Sequence, residues 1–243
     1  LKDRCDRYLY ISTVAVYDFE KGTDFDESSD LAAAPAIENP GWSDIDGETY
    51  GPFKAECDRI VQRVMGDRCT IVRPIYIVGP GDRTDRFTYW VDRIHRGGEV
   101  VAPASPDARI QVVDVRDLAR LVLSLSEAGR GGIYNAAGPA YTREGMMWGI
   151  RGTATEDVRF LWPSLEQEAE LGLSPPMFNW KSETSMAFSN KASLAVGAKY
   201  RALSESTLAT LKWWMAQDEE RRAQPRGWPE AATMDAAIEQ LRG

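Results

Sequence analysis

Apolar and polar positions alternate between two periods along this chain, and the alternation predicts strands interleaved with helices. Tyr8-Leu9-Tyr10-Ile11 is a short apolar run that stops at Ser12-Thr13, the pattern of a buried strand followed by a loop. From about Asp18 to Glu48 the chain is rich in Asp, Ser, Pro and Gly and reads as a long surface excursion. Helical spacing begins at Tyr50 and runs to about Met65, with Phe53, Ala55 or Cys57, Ile60, Val61 and Val64 set for one buried face. Cys69-Thr70-Ile71-Val72 predicts a second buried strand, stopped at Arg73-Pro74 because proline removes a backbone donor.

The second half repeats the theme with shorter elements. Phe87 to His95 has Phe87, Trp90, Val91 and Ile94 on one side and ends at Gly97-Gly98. Strands are expected over Glu99–Pro103, Ile110–Val113, Gly131–Ala136 and Val158–Leu161. Asp114 or Asp117 is placed to cap a helix running to about Leu125, and another helix follows Thr142. Asn190–Val196 and Ser204–Met215 read as the last firm helices. This succession predicts an α/β fold with a largely parallel sheet.

Composition narrows the function classes. At 243 residues, with 43% hydrophobic and 27% charged residues, the chain has the make-up of a globular protein with a real core. A net charge of −8 argues against nucleic acid as a partner, which calls for a clustered basic face. No apolar run approaches the roughly 20 residues of a membrane span. Cys5, Cys57 and Cys69 show no metal-ligand spacing, so a reduced, cytoplasmic setting with structural thiols and no metal is expected. His95, the one histidine, is expected on the solvent side of its helix, and Trp213-Trp214 in packing. Asp218-Glu219-Glu220 with Arg221-Arg222 reads as a solvated helix face.

Candidate chemistry sits at the start of the first long helix. Tyr50-Gly51-Pro52-Phe53-Lys54 places a phenol and an ammonium four residues apart, on one face and about one turn from each other. A nearby cation favours a phenolate, so the pair suits general acid/base work on a hydroxyl or ketone. The strand ending in Ser12-Thr13 and continuing Val14-Ala15-Val16-Tyr17 precedes it, and Arg73-Pro74-Ile75-Tyr76-Ile77-Val78-Gly79-Pro80-Gly81 follows it.

This ordered set resembles the extended short-chain dehydrogenase/reductase superfamily, the group of NAD-dependent epimerases and dehydratases, from about Tyr8 to Trp214. The resemblance implies a partial Rossmann-like parallel sheet with a small, irregular α/β substrate-capping region. Residues 1–80 would be the C-terminal half of the dinucleotide-binding domain. Residues 81–215 would bind substrate, interleaved with the last Rossmann elements, and 216–243 would form a helical tail of unknown role. By position it implies Tyr50 as catalytic acid/base, Lys54 on the nicotinamide ribose, and Thr13 on the substrate oxygen. Pro74 and Ile75 would lie against the nicotinamide of NAD or NADP, and Tyr76 would face a small-molecule substrate. It further implies a homodimer formed through the Tyr50–Lys54 helix.

Departures from the family pattern qualify this. The family opens on a strand, a glycine-rich turn and a helix that holds the pyrophosphate, and no such fingerprint occurs in these residues. Roughly 90 residues of that architecture, about three strand–helix units at ~30 each, are therefore expected to be missing. Tyr76 stands where sugar-nucleotide enzymes of the group carry Asn, and Ile110 stands where they often carry Arg, with Arg109 one residue away. Arg73–Ile77, Trp90 and Asp114–Ala119 are similar to a subgroup that includes the chloroplast stem-loop-binding proteins. Two other readings follow: a non-catalytic RNA- or protein-binding module on an epimerase-like fold, and an inactive truncated product.

Overall fold

The computed structural model describes residues 2–37, 41–178 and 185–242. In chain order the elements begin β1 (Tyr8–Ile11), β2 (Asp24–Phe25), α1 (Tyr50–Met65), β3 (Cys69–Pro74), β4 (Ile77–Val78) and α2 (Arg86–His95). They continue β5 (Gly98–Val101), β6 (Arg109–Ile110), β7 (Val113–Asp114), α3 (Val115–Glu127), β8 (Gly132–Ala136), β9 (Tyr141–Thr142) and α4 (Arg143–Arg151). The last are β10 (Val158–Leu161), α5 (Leu165–Glu170), β11 (Ala187–Phe188), α6 (Lys191–Ala195), α7 (Leu203–Met215), α8 (Glu219–Ala223) and α9 (Ala231–Leu241). They divide into two compact units, and each crosses the chain more than once.

The first unit comprises residues 1–76, 111–139 and 186–200. Its centre is a parallel sheet in the order β1-β3-β8, with Tyr8 opposite Cys69 and Thr70 opposite Gly132. β3 is the middle strand and all six of its residues are buried, which explains its unbroken apolar run. α1 connects β1 to β3, as parallel neighbours require a crossover. Asp114 caps α3 by accepting from the Arg116 N–H at 2.9 Å.

α1 buries a different face from the one its apolar residues suggest. Gly51, Ala55, Asp58 and Met65 are inside, whereas Ile60 and Val64 are 41% and 38% exposed and Cys57 is exposed. The buried stripe is made of small residues and a charge because of what it meets. Asp58 accepts from Arg73 Nε at 2.9 Å, and both side chains are essentially sealed from solvent. Arg73 also donates to the Tyr17 hydroxyl at 3.0 Å, and Tyr17 donates to Asn135 Oδ1 at 2.6 Å. Helix, central strand, the turn after β1 and the neighbouring strand β8 are thus tied by one buried polar chain. Burial is the largest influence on Tyr17 and pushes its phenol above the usual range.

The expected surface excursion is not wholly on the surface. Phe25 is 5% exposed, because its ring stacks on Tyr17 at 5.4 Å and on Phe188 at 5.7 Å while β2 pairs with β11. The strand expected over Ile110–Val113 is instead two short ladders, β6 and β7. The Gln111 side chain between them accepts from Phe188 N at 2.7 Å and donates to the Gly138 carbonyl at 2.8 Å.

The second unit comprises residues 77–110, 140–185 and 201–243. α2, α4 and α7 pack around Phe87, Trp90, Ile94, Met146, Met147, Ile150 and Trp214, beside the parallel pair β5–β10. The Trp214 indole donates to Asp92 at 3.0 Å, so this tryptophan belongs to the packing as expected. Two expectations change here. His95 is half-buried with Nδ1 2.6 Å from the Thr153 carbonyl, because the turn after α4 folds over it. Arg221 leaves the charged face of α8 to make two bonds, of 2.6 and 2.7 Å, to Asp85, a fully buried carboxylate. Trp228 donates to the Asp85 carbonyl and lies 5.5 Å from both Tyr89 and Trp214. Residues 219–241 are in this way folded into the unit.

Removing one partner of the sealed Arg73–Asp58 pair strands the other charge. Arg73→Met or Asp58→Leu alone is expected to cost about 3–5 kcal/mol in urea unfolding, while the double variant costs far less. Equal losses in single and double variants would refute this account.

Candidate active site

The candidate residues converge where β1 ends and α1 begins. Thr13 caps a single 3₁₀ turn, Val14–Val16, with its hydroxyl oxygen accepting from the Ala15 N–H at 3.1 Å. Asp46 organises the start of α1: its Oδ1 accepts from the N–H groups of Glu48 at 2.9 Å and Thr49 at 2.8 Å. Those bonds from Thr49 and Glu48 hold the Asp46 carboxyl below its usual range. Tyr50 is then the first residue of α1 and is 44% exposed.

Gly51 sets how closely turn and helix approach. A Cβ built there would stand 2.3 Å from the Ala15 carbonyl oxygen, so only glycine lets the helix start lie against the turn. Tyr50 and Thr13 flank this contact in sequence, one on each side. The Ser12 hydroxyl is buried beside it and, among the described residues, has no hydrogen-bond partner.

Lys54 lies one turn along the same face. Its ammonium donates to the Tyr10 hydroxyl at 2.5 Å and to the Ile11 carbonyl at 2.9 Å, and sits 4.2 Å from the Tyr10 ring centre. Partial burial pushes the Lys54 ammonium below its ordinary pKa, with Cys57 and Asp58 pulling the other way. Burial, a hydrogen bond with Cys57, and the charges of Cys57, Asp58 and Tyr50 together hold the Tyr10 phenol well above its usual range. Tyr10 is therefore a neutral hydroxyl at physiological pH, bonded to the Lys54 ammonium.

The β3 residues are placed differently. Pro74 ends β3 and pairs with Ala136, while Ile75 donates its N–H to the Ala136 carbonyl at 3.2 Å and buries its side chain in the core. Tyr76 is half-buried against that core, and its carbonyl accepts from Val113 N at 2.9 Å. The side chains of Pro74 and Ile75 are both buried. Tyr10 was overlooked in the sequence because it reads as one more apolar residue of a strand.

A family model described as the NAD dependent epimerase/dehydratase family matches residues 1–137. The chain belongs to that family. No curated protein matches it. Among solved structures, this epimerase/dehydratase family member is similar to UDP-N-acetylglucosamine 4-epimerase from Methanobrevibacter ruminantium M1 in complex with UDP-N-acetylmuramic acid. That likeness has a TM-score of 0.62 at 15% identity, covering 89% of this chain and 66% of the other. UDP-glucuronic acid 4-epimerase from Bacillus cereus in complex with NAD gives 0.56 at 14%, covering 86% and 60%. The dTDP-4-dehydrorhamnose reductase from Bacillus anthracis in complex with NADP gives 0.56 at 17%, covering 85% and 65%. The likeness is one of fold, and the chain spans between 60% and 66% of the length of these three structures. Among the described residues no helix is long and apolar enough to cross a membrane.

The residues present fit one end of a nicotinamide dinucleotide. The carboxyl ends of β1 and β3 carry Ser12-Thr13 and Pro74-Ile75 on the side where parallel sheets take ligands, and Lys54 has a donor to spare. None of the three strands of this sheet passes directly through a glycine-rich turn into a helix; Gly79-Pro80-Gly81 follows β4 and precedes α2, which belongs to the second unit.

Gly51→Ala is expected to cost about 1–3 kcal/mol, the usual range for overpacking, read as a lower melting temperature. An unchanged melting temperature would show that turn and helix are not held in contact.

Proposed function

We propose that the protein is an NAD(P)-dependent epimerase, dehydratase or reductase acting on a hydroxyl or ketone carbon of a small molecule, with Thr13, Tyr50 and Lys54 as its catalytic set. The observation that carries this reading is the packing of Gly51 on Ala15, which brings the Tyr50–Lys54 face beside the Thr13 turn. In this scheme the Thr13 hydroxyl, whose oxygen already accepts from Ala15, turns its O–H to the substrate oxygen. Tyr50 takes the proton from the substrate hydroxyl, or returns one to a ketone, from an exposed position at the helix start. Lys54 supplies positive charge one turn away and its remaining N–H to the nicotinamide ribose. A bound nicotinamide would supply the redox chemistry, accepting or returning hydride. Pro74 and Ile75 contribute backbone to that group, and Tyr76 borders the substrate.

The three solved structures contain NAD, NADP or a UDP-linked sugar acid, which supports a dinucleotide cofactor and a small-molecule substrate here. The acidic net charge of −8 favours this over an RNA-binding role. Ile60 and Val64, exposed on α1, support a homodimer across that helix, and a single-chain mass by light scattering would remove that proposal.

The decisive test titrates NADH and NADPH into the protein, following the fluorescence of the reduced cofactor. Binding of at least one is expected. Tyr50→Phe should bind equally and lose about 10²–10⁴-fold in turnover. No binding of either cofactor, or full activity in Tyr50→Phe, would overturn the assignment.

A further inference from the structure

Lys54 is held from the strand side, by two neighbouring residues of β1. An ammonium has three N–H donors. One goes to the Tyr10 hydroxyl at 2.5 Å and one to the Ile11 carbonyl at 2.9 Å, so among the described residues a single donor remains. The two acceptors, together with the Tyr10 ring 4.2 Å from the nitrogen, fix the direction of that third N–H. A lysine tail has four rotatable bonds and unhindered would sweep a wide arc. Here its charged end is pinned at the strand terminus that carries Ser12 and Thr13.

We infer that Tyr10 is a positioning residue for Lys54, its hydroxyl holding the ammonium so that the third N–H points to the ligand. This rests on the reading of Lys54 as a cofactor-facing group, and it adds a role for a strand residue outside the Thr13, Tyr50 and Lys54 set. The groups acting on the ammonium are Tyr10 and the Ile11 carbonyl from β1 and Cys57 and Asp58 from α1, and the Tyr10 phenol also feels the charge of Tyr50. Tyr10 can fill this role because it stays neutral: a protonated phenol keeps oxygen lone pairs with which to accept from an ammonium. The competing possibility is that Tyr10 merely packs, since its ring also lies against Met65, Cys69 and Ile71.

If the hydroxyl holds the ammonium, two variants move the titration of Lys54 in opposite directions, whereas a Tyr10 that merely packs leaves it unchanged in Tyr10→Phe. Tyr10→Phe keeps the ring and removes the acceptor, which destabilises the charged amine. Tyr10→Leu removes the ring as well and opens the site to water, relieving the burial that depresses the amine. Labelling of Lys54 by acetic anhydride across pH, read by mass spectrometry, follows the midpoint directly. For Tyr10→Phe we expect the midpoint to fall by about one unit, with labelling at pH 8 roughly tenfold faster. For Tyr10→Leu the midpoint should rise toward that of an ordinary lysine. Should Tyr10→Phe fail to fold, 3-fluorotyrosine placed at position 10 keeps the shape and weakens the acceptor, and a smaller fall is expected. A wild-type midpoint in Tyr10→Phe, or in the fluorotyrosine protein where Tyr10→Phe does not fold, would overturn the inference. Cofactor titration of Lys54→Met separates the two layers. Binding lost there with an unshifted Tyr10→Phe removes only the Tyr10 role. A shifted Tyr10→Phe with no cofactor binding in any variant removes the Lys54 reading instead.

Discussion

The sealed Arg73–Asp58 pair is the constraint on which the first unit depends. A guanidinium and a carboxylate withdrawn from water depend on each other, all the more here, where one Asp58 oxygen accepts from Arg73 and the other, among the described residues, has no hydrogen-bond partner. Arg73 therefore dictates where α1 lies along β3, where Tyr17 lies after β1, and through Tyr17 where Asn135 lies on β8. Slip any of these elements by one residue and a buried charge loses its partner. A purely apolar interface would accept several registers at little cost. The polar chain accepts one.

That register is what makes the site. α1 carries Gly51 at the start of its buried stripe and Asp58 further along it, seven residues or about two turns on. Anchoring Asp58 on the sheet leaves the helix start only one place to go, against the carbonyl of Ala15. Tyr50, Lys54 and the Thr13 turn are consequences of that placement. The same helix then carries two kinds of charge handling: Asp58 in a dry, paired environment, and Lys54 at the half-buried margin, where two acceptors and a ring face steady it while one donor stays available.

The second unit uses the same device with different parts. Asp85, wholly buried, gathers Arg221, the Arg226 N–H and, through its carbonyl, the Trp228 indole. The tryptophans at 90, 214 and 228 each give their indole N–H to an oxygen, so large rings are buried without stranding a donor. A segment that reads as a charged tail becomes part of the wall because one of its arginines has a buried carboxylate to reach.

By itself the sequence determined the main succession of longer strands and helices, the parallel α/β class and the span of α1, because these follow from local periodicity, proline and caps such as Asp114. It also made Tyr50 and Lys54 candidates by their spacing, and Thr13 a candidate through the family resemblance. What only the tertiary structure decided were matters of partnership. Ile60 and Val64 have the spacing of a buried face, yet Asp58 is buried in their place because Arg73, fifteen residues on, waits for it. Phe25 sits inside a polar stretch and is buried because Phe188, distant in sequence, stacks on it. Tyr10 looks like a strand apolar until Lys54 is found on its hydroxyl. Periodicity reports which residues share a face; which face is turned inward, and what a buried charge meets there, depends on residues far away in the chain.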